Sequence, residues 1–173
     1  IVGIYENDLF KTISLAGTTY DTSPLFYDKE QKEQDVVSMY IHTLLSEYGK
    51  DVITKPKEIL NYGNLQHLVN EFSIEMPRAN DFNELVNEIH PSPALSGFPK
   101  DESIDYILQN EGFDRDYYCG LTIIENSDIE KYSFAHIRCA QITQHQIIYY
   151  GGAGITEDSI PEMEYIETTK KID

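Results

Sequence analysis

Glu30 and Glu33 stand three residues apart in a segment of helical period, and Glu164 and Glu167 repeat that spacing near the end of the chain. At about 100° per residue, positions 30, 33, 37, 41 and 44 fall on one stripe, so the first pair continues the apolar side of its helix. In the last segment Glu164, Glu167 and Lys171 share a stripe with Met163, Tyr165, Ile166 and Ile172 to either side of it. Carboxylates that face inward need a cation. Two such pairs could together hold a hard divalent ion: Mg²⁺ uses few protein carboxylates, keeps waters and completes its shell from an anionic ligand. Oxygen-only donors disfavour zinc. A solvated acidic face explains either pair taken alone, because acids near a helix N-terminus are favourable without any metal.

Three further features could receive an anion. Gly151-Gly-Ala-Gly154 lies after a strand and before a helix, where bare backbone N–H groups approach a ligand closely. It does not fit G-x-G-x-x-G, so no dinucleotide is implied. Arg138 is read within a strand around Phe134 to Ile142, and its permanently charged fork suits bidentate carboxylate recognition, a solvent-facing Arg being the alternative. His90 precedes two prolines and is rigidly placed, as an active or a plain loop imidazole. No Gly-x-Ser-x-Gly elbow occurs and neither Cys119 nor Cys139 has a nucleophile signature, so covalent catalysis has no visible candidate.

The elements that must position these groups follow from periodicity. Residues 1 to 15 read as two strands about Asn7-Asp8, followed by an irregular stretch from Ala16 to Pro24. A helix from Asp28 carries Val37, Ile41, Leu44 and Tyr48 on one stripe, widened by Val36, Tyr40 and Leu45, with Gly49 as its C-cap. Short strands at 65–69 and 71–76 come next, then a helix capped by Asp81 and running through Ile89, ended by His90-Pro-Ser-Pro93. Another helix opens at Asp101 or Ser103 and runs to about Asn110, and strands are expected near 117–125, 131–142 and 146–150. Ser159-Ile-Pro-Glu162 has capping-box spacing for the last helix.

The 173 residues are one domain's length, and 40% hydrophobic with 12% aromatic is enough for a core. Thirteen Lys+Arg against 30 Asp+Glu give a net charge of −17, which makes nucleic acid an improbable partner. A small anionic substrate needs a local basic cluster or a bound cation. No run of about 18 apolar residues occurs, so no membrane span is expected. Two cysteines make no disulfide framework and read as reduced thiols of a cytoplasmic protein. The chain opens inside a strand-like run without an initiator Met or a basic leader, which is expected of a piece cut from a longer protein.

Leu15-Ala-Gly-Thr18, Lys29-Glu-Gln-Lys-Glu-Gln-Asp-Val-Val37, His90-Pro-Ser-Pro-Ala-Leu-Ser-Gly-Phe-Pro99, Phe113-Asp-Arg115, Ile137-Arg-Cys-Ala140, Gly152-Ala-Gly-Ile155 and Glu164-Tyr-Ile-Glu-Thr168 stand in this order along the chain. Together they closely resemble the chorismate-utilising enzymes, and the His-Pro-Ser-Pro-Ala-Leu-Ser-Gly and Ile-Arg-Cys-Ala blocks are most similar to isochorismate synthase. The resemblance covers essentially the whole chain. It implies an α+β fold of antiparallel sheets flanked by helices, of which residues 1–173 would be the C-terminal part. It also implies Mg²⁺-dependent addition of water at C2 of chorismate with loss of the C4 hydroxyl, giving isochorismate for menaquinone or a catecholate siderophore. Glu30, Glu33, Glu164 and Glu167 match the family's metal-site acids. Arg138, Lys171 and the Gly152, Ala153 and Gly154 backbone match the groups that receive the substrate carboxylates, and Gly17, Thr18 and His90 match pocket residues.

The family's general acid Glu and water-activating Lys would lie upstream of Ile1, so no catalytic acid or base is assigned here and little activity is expected of the chain alone. The missing N-terminal half is an expected partner, and exposed strand edges are expected to favour self-association. Gln34 stands where many relatives have His, with little expected effect on the metal. Two other readings are open: a salicylate synthase, which would go on to eliminate pyruvate, and a non-catalytic acidic interaction domain whose carboxylates are merely solvated.

Overall fold

The computed structural model describes residues 1–20, 26–49, 51–63, 65–76 and 78–172. Asn7 and Asp8 both adopt left-handed backbone, φ 49° and 64°, which Asn and Asp tolerate and which a two-residue hairpin turn requires. They join β1 (Gly3–Glu6) to β2 (Leu9–Tyr20) in the expected hairpin, with Tyr5 opposite Phe10. β2 does not stop at Leu15. It continues through the stretch read as irregular by absorbing Gly17 in a β-bulge between Ala16 and Thr18. Ser23 and Pro24 lie outside the described residues.

α1 (Asp28–Tyr48) buries Val37, Ile41 and Leu45 as expected, with the polar Gln34 added to that line and Leu44 and Tyr48 only partly buried. Gly49 N–H donates to Leu45 O at 3.0 Å, the expected C-cap. β3 (Ile53–Thr54) and β4 (Glu58–Tyr62) both pair with β5 (Leu65–Glu75), which unites the two short strands expected at 65–69 and 71–76. α2 (Asp81–Ile89) turns Phe82, Leu85, Val86 and Ile89 inward, with Asn80 rather than Asp81 at its cap position. A short helix, α3 (Pro93–Ser96), follows unanticipated where two prolines signalled only a stop, and α4 (Lys100–Asn110) begins about where expected.

β6 (Leu121–Ser127) and β7 (Glu130–Ala135) form a hairpin, and β8 (Cys139–Ile142) and β9 (Ile147–Tyr150) a second one. The expected strand 131–142 is therefore two strands. Arg138 sits in the break between them with φ 48°, not within a strand. α5 (Pro161–Ile172) closes the chain, and the Ser159 hydroxyl accepts from Thr156 N–H at 2.9 Å instead of capping that helix.

Strand order in the main sheet is β3-β5-β2-β1-β7-β6, antiparallel throughout, with β4 also on β5. This mixture of helices and antiparallel sheet is the expected fold class. The core joins the sheet, through Tyr5, Phe10, Phe72 and Ile74, to α1 and α2, through Val37, Ile41, Leu45, Phe82, Leu85 and Val86. Phe82 meets Phe10 edge-on at 6.0 Å between ring centres, a favourable aromatic geometry. Among the described residues no helix is long and apolar enough to cross a membrane.

Candidate active site

The bulge in β2 brings that strand against the first turns of α1. Gly17 has φ +66°, and a Cβ there would stand 2.6 Å from the Glu30 carbonyl oxygen, so only glycine lets strand and helix approach this closely. Ala16 N–H donates to Gln34 Oε1 at 2.8 Å, and Gly17 N–H bonds the Glu33 carboxylate. Gln34 Nε2 in turn lies 2.8 Å from Ser14 Oγ and 3.0 Å from Asn70 Oδ1, which ties β2, α1 and β5 into one buried polar network.

That network holds Glu33 facing α5. Burial, then the nearby Glu167 carboxylate, push the Glu33 carboxyl above the usual range, against Gly17 N–H, Lys29 and Lys171, which pull it down. Glu164 is 5% exposed and forms an ion pair with Lys29. Burial alone would depress Lys29, but Glu164 first, then Glu167 and Glu33, outweigh it and raise the ammonium above its ordinary value. Glu167 Oε1 accepts from Lys171 Nζ at 2.6 Å, and the same ammonium donates to Gly152 O at 3.0 Å. Glu33, Glu164 and Glu167 thus share one electrostatic neighbourhood. Glu30 is turned to its own helix end, where Oε2 accepts from Tyr27 N–H at 2.9 Å.

Among the described residues no three acidic, histidine or cysteine side chains stand close enough to enclose an ion by themselves. Mg²⁺ does not require such a cage, because it binds through one or two carboxylates plus waters and ligand oxygens. A carboxylate held half-buried beside a second one, with oxygen donors only, fits that ion better than any softer metal.

Arg138 is aimed by the left-handed turn between β7 and β8. Its Nη2 lies 2.6 Å from Nε2 of His67 on β5. His67 is 3% exposed, and burial, Arg138 and Lys171 hold its pKa down at about 4, so the ring is neutral at pH 7. Nε2 must then accept from the guanidinium, which leaves the proton on Nδ1, 3.1 Å from Thr18 Oγ1 on the neighbouring strand. His67 was not among the sequence candidates. It lies in the stretch from 67 to 70 that is buried on both faces of the strand, and its apolar neighbours Leu68 and Val69 were the available signal.

Thr18, Glu33, His67, Arg138, Lys171 and the Gly152–Gly154 backbone line one cleft of about 220 Å³, which adjoins a larger opening of about 910 Å³ between α1, α3 and α4. Cationic and carboxylate side chains are brought together in this cleft, inside a chain of net charge −17. His90 is not brought to this lining. It stands at the end of α2, where Nε2 lies 2.7 Å from Cys119 O and supports the 117–120 turn.

His67 makes stability depend on pH. Its folded pKa of about 4 lies below the ordinary imidazole value of 6.5, so the unfolded chain takes up the proton first. The stabilisation is complete above pH 6.5 and is lost as pH falls toward 4, about 2–3 kcal/mol by pH 4.5. Glu33, raised rather than lowered, changes in the opposite sense. Urea midpoints at pH 7 and 4.5 are expected to converge in His67→Asn; an unchanged gap would assign the acid sensitivity elsewhere.

The family model described as chorismate binding enzyme matches residues 16–173. The chain is 28% identical over 146 residues to isochorismate synthase EntC of Escherichia coli (strain K12), covering 84% of this chain and 37% of that protein. It is 30% identical over 148 residues to isochorismate synthase MenF of Bacillus subtilis (strain 168), covering 84% and 31%. Among solved structures, MenF, the menaquinone-specific isochorismate synthase from Escherichia coli, superposes with a TM-score of 0.86 at 25% identity, over 98% of this chain and 42% of that one. The putative 2,3-dihydroxybenzoate-specific isochorismate synthase DhbC from Bacillus anthracis shares the fold, with a TM-score of 0.90 at 24% identity over 98% and 49%. The chain therefore spans 31% to 49% of the length of these relatives.

Proposed function

Because this chain belongs to the chorismate binding enzyme family, we propose that it carries the metal- and carboxylate-binding part of an isochorismate synthase. The observation that supports this reading best is the cleft in which Glu33, Arg138, Lys171 and the Gly152–Gly154 backbone meet, with Gly154 against the Glu33 carboxylate and Lys171 paired with Glu167. The similarity to isochorismate synthases of several organisms supports the same reaction class. Arg138 offers a planar two-pronged donor to one substrate carboxylate, and Lys171 a point charge beside the glycine backbone. Glu33, Glu164 and Glu167 would be the acids that hold Mg²⁺, and Glu30, which accepts from Tyr27 N–H, would meet it through water. Bound there, the ion would neutralise a substrate carboxylate and fix the ring for attack.

In the whole enzyme, water adds at C2 and the C4 hydroxyl leaves with a proton, so the product is an isomer of the substrate. The family's general acid and water-activating base match no residue of this chain. This chain's own part is to bind, orient and shield the ring. Calorimetric titration of chorismate with Mg²⁺, repeated in EDTA and with Glu167→Gln, tests it. Metal-dependent binding weakened by about tenfold or more in the variant is the expected result. Chorismate binding indifferent to both metal and Glu167 would reject it.

A further inference from the structure

The ion pair between Lys29 and Glu164 joins the first turn of α1 to the first turn of α5 across 135 residues of sequence. Glu164 is withdrawn from water and Lys29 keeps only 21% of its side-chain exposure, so this is not a loose surface contact. Other lysines on this face differ. Lys32 meets Asp158 at 3.4 Å with both side chains more than half exposed, and Lys171 is committed to Glu167 and Gly152 at the cleft end.

We propose that Lys29 is a built-in cation that holds the two acidic helices together in the metal-free chain, and that its bridge to Glu164 and the binding of a divalent ion exclude one another. This rests on the metal reading above. Counted as ionised, Glu33, Glu164 and Glu167 with Lys29 and Lys171 leave one negative charge. A dication entering with Lys29 still in place would leave one positive charge in a half-buried site. With Lys29 swung to solvent, the same site is neutral. A compact ammonium on a flexible four-carbon stem can make that exchange, and its departure leaves Glu164 to the ion rather than unpaired. Glu167 and Glu33 also act on Lys29, after Glu164 with which it is paired.

The consequence is competition. Lys29→Met is expected to bind Mg²⁺ about tenfold more tightly than the unaltered chain, since a like charge a few ångströms from the ion is removed. Lys32→Met, which deletes the same charge at the surface, is expected to change the affinity by less than about twofold. Without metal, Lys29→Met is expected to melt roughly 5 °C lower, because Glu164 is left buried and unpaired, and MgCl2 is expected to restore it. Calorimetry with MgCl2 alone and metal-free melting curves read both effects.

Equal or weaker Mg²⁺ affinity in Lys29→Met, with the unaltered chain binding normally, overturns the exchange and leaves the metal reading standing. Absence of Mg²⁺ binding in every variant overturns both. If Lys29→Met does not fold, the ¹⁵N resonance of the Lys29 ammonium in the unaltered chain gives the answer. A shift that follows calorimetric Mg²⁺ saturation supports the exchange, and a resonance that ignores bound Mg²⁺ overturns it.

Discussion

Gln34→Leu is expected to lower the free energy of unfolding by about 2–4 kcal/mol, read as a lower urea midpoint at pH 7 with unchanged slope. Leucine nearly matches glutamine in volume, so the cost is polar rather than a cavity. Gln34 is fully buried and accepts from the Ala16 N–H at 2.8 Å. Ser14 Oγ and Asn70 Oδ1 keep Ser38 Oγ, at 2.8 and 2.9 Å, so they are weakened rather than orphaned. Gln34→His retains a donor and an acceptor at the same place and is expected to lose about half as much. Because Gly17 follows Ala16 directly, Gln34→Leu should also loosen the Gly17 N–H bond to Glu33 and weaken Mg²⁺ binding. A loss below about 0.5 kcal/mol would mean that the network is not what joins β2 to α1.

Arg138→Met is expected to reduce chorismate affinity at least about a hundredfold, the scale of removing a charge-assisted, partly buried donor pair from a carboxylate. Arg138→Lys keeps the charge but not the fork and should fall between. The left-handed turn at this position costs Met and Arg alike, so the loss is not an effect of folding. An independent readout follows from His67. Its pKa is held down in part by the guanidinium beside it, so Arg138→Met should raise it from about 4 toward 6.5, visible in an NMR titration of the ring. Unaltered His67 titration would show that the 2.6 Å contact is not maintained in solution.

Local periodicity carried some elements well. The Asn7-Asp8 hairpin and the inward face of α2 follow from turn chemistry and from spacing three and four apart. Where it misled, a polar or permissive residue broke a pattern whose cause was distant. Asn70 divides the apolar alternation of β5 because it answers Gln34 on α1, and Gly17 looks like the end of β2 because it forms a bulge under Glu30. Arg138 was read into a strand because Phe134 to Ile142 is β-prone throughout, although its own backbone is left-handed.

The two Glu-x-x-Glu pairs were visible from spacing on single helices. Lys171 was visible on the same stripe as Glu167, but Lys29 was not placed, because its pairing with Glu164 spans 135 residues and no local pattern encodes it. His67 was hidden similarly: a histidine in a strand declares itself only when Arg138 and Thr18 are brought to its two nitrogens. The proposed roles of these groups came from seven sequence blocks in order, not from composition.

Anomalous diffraction from crystals of this chain grown with chorismate and Mn²⁺, a hard ion of similar oxygen preference with usable scattering, tests the central claim most directly. The expected map has one peak between α1 and α5 within coordination reach of Glu33 and of Glu164 or Glu167, with a ring carboxylate on Arg138. A peak elsewhere, or chorismate bound with no peak at these acids, would contradict the account.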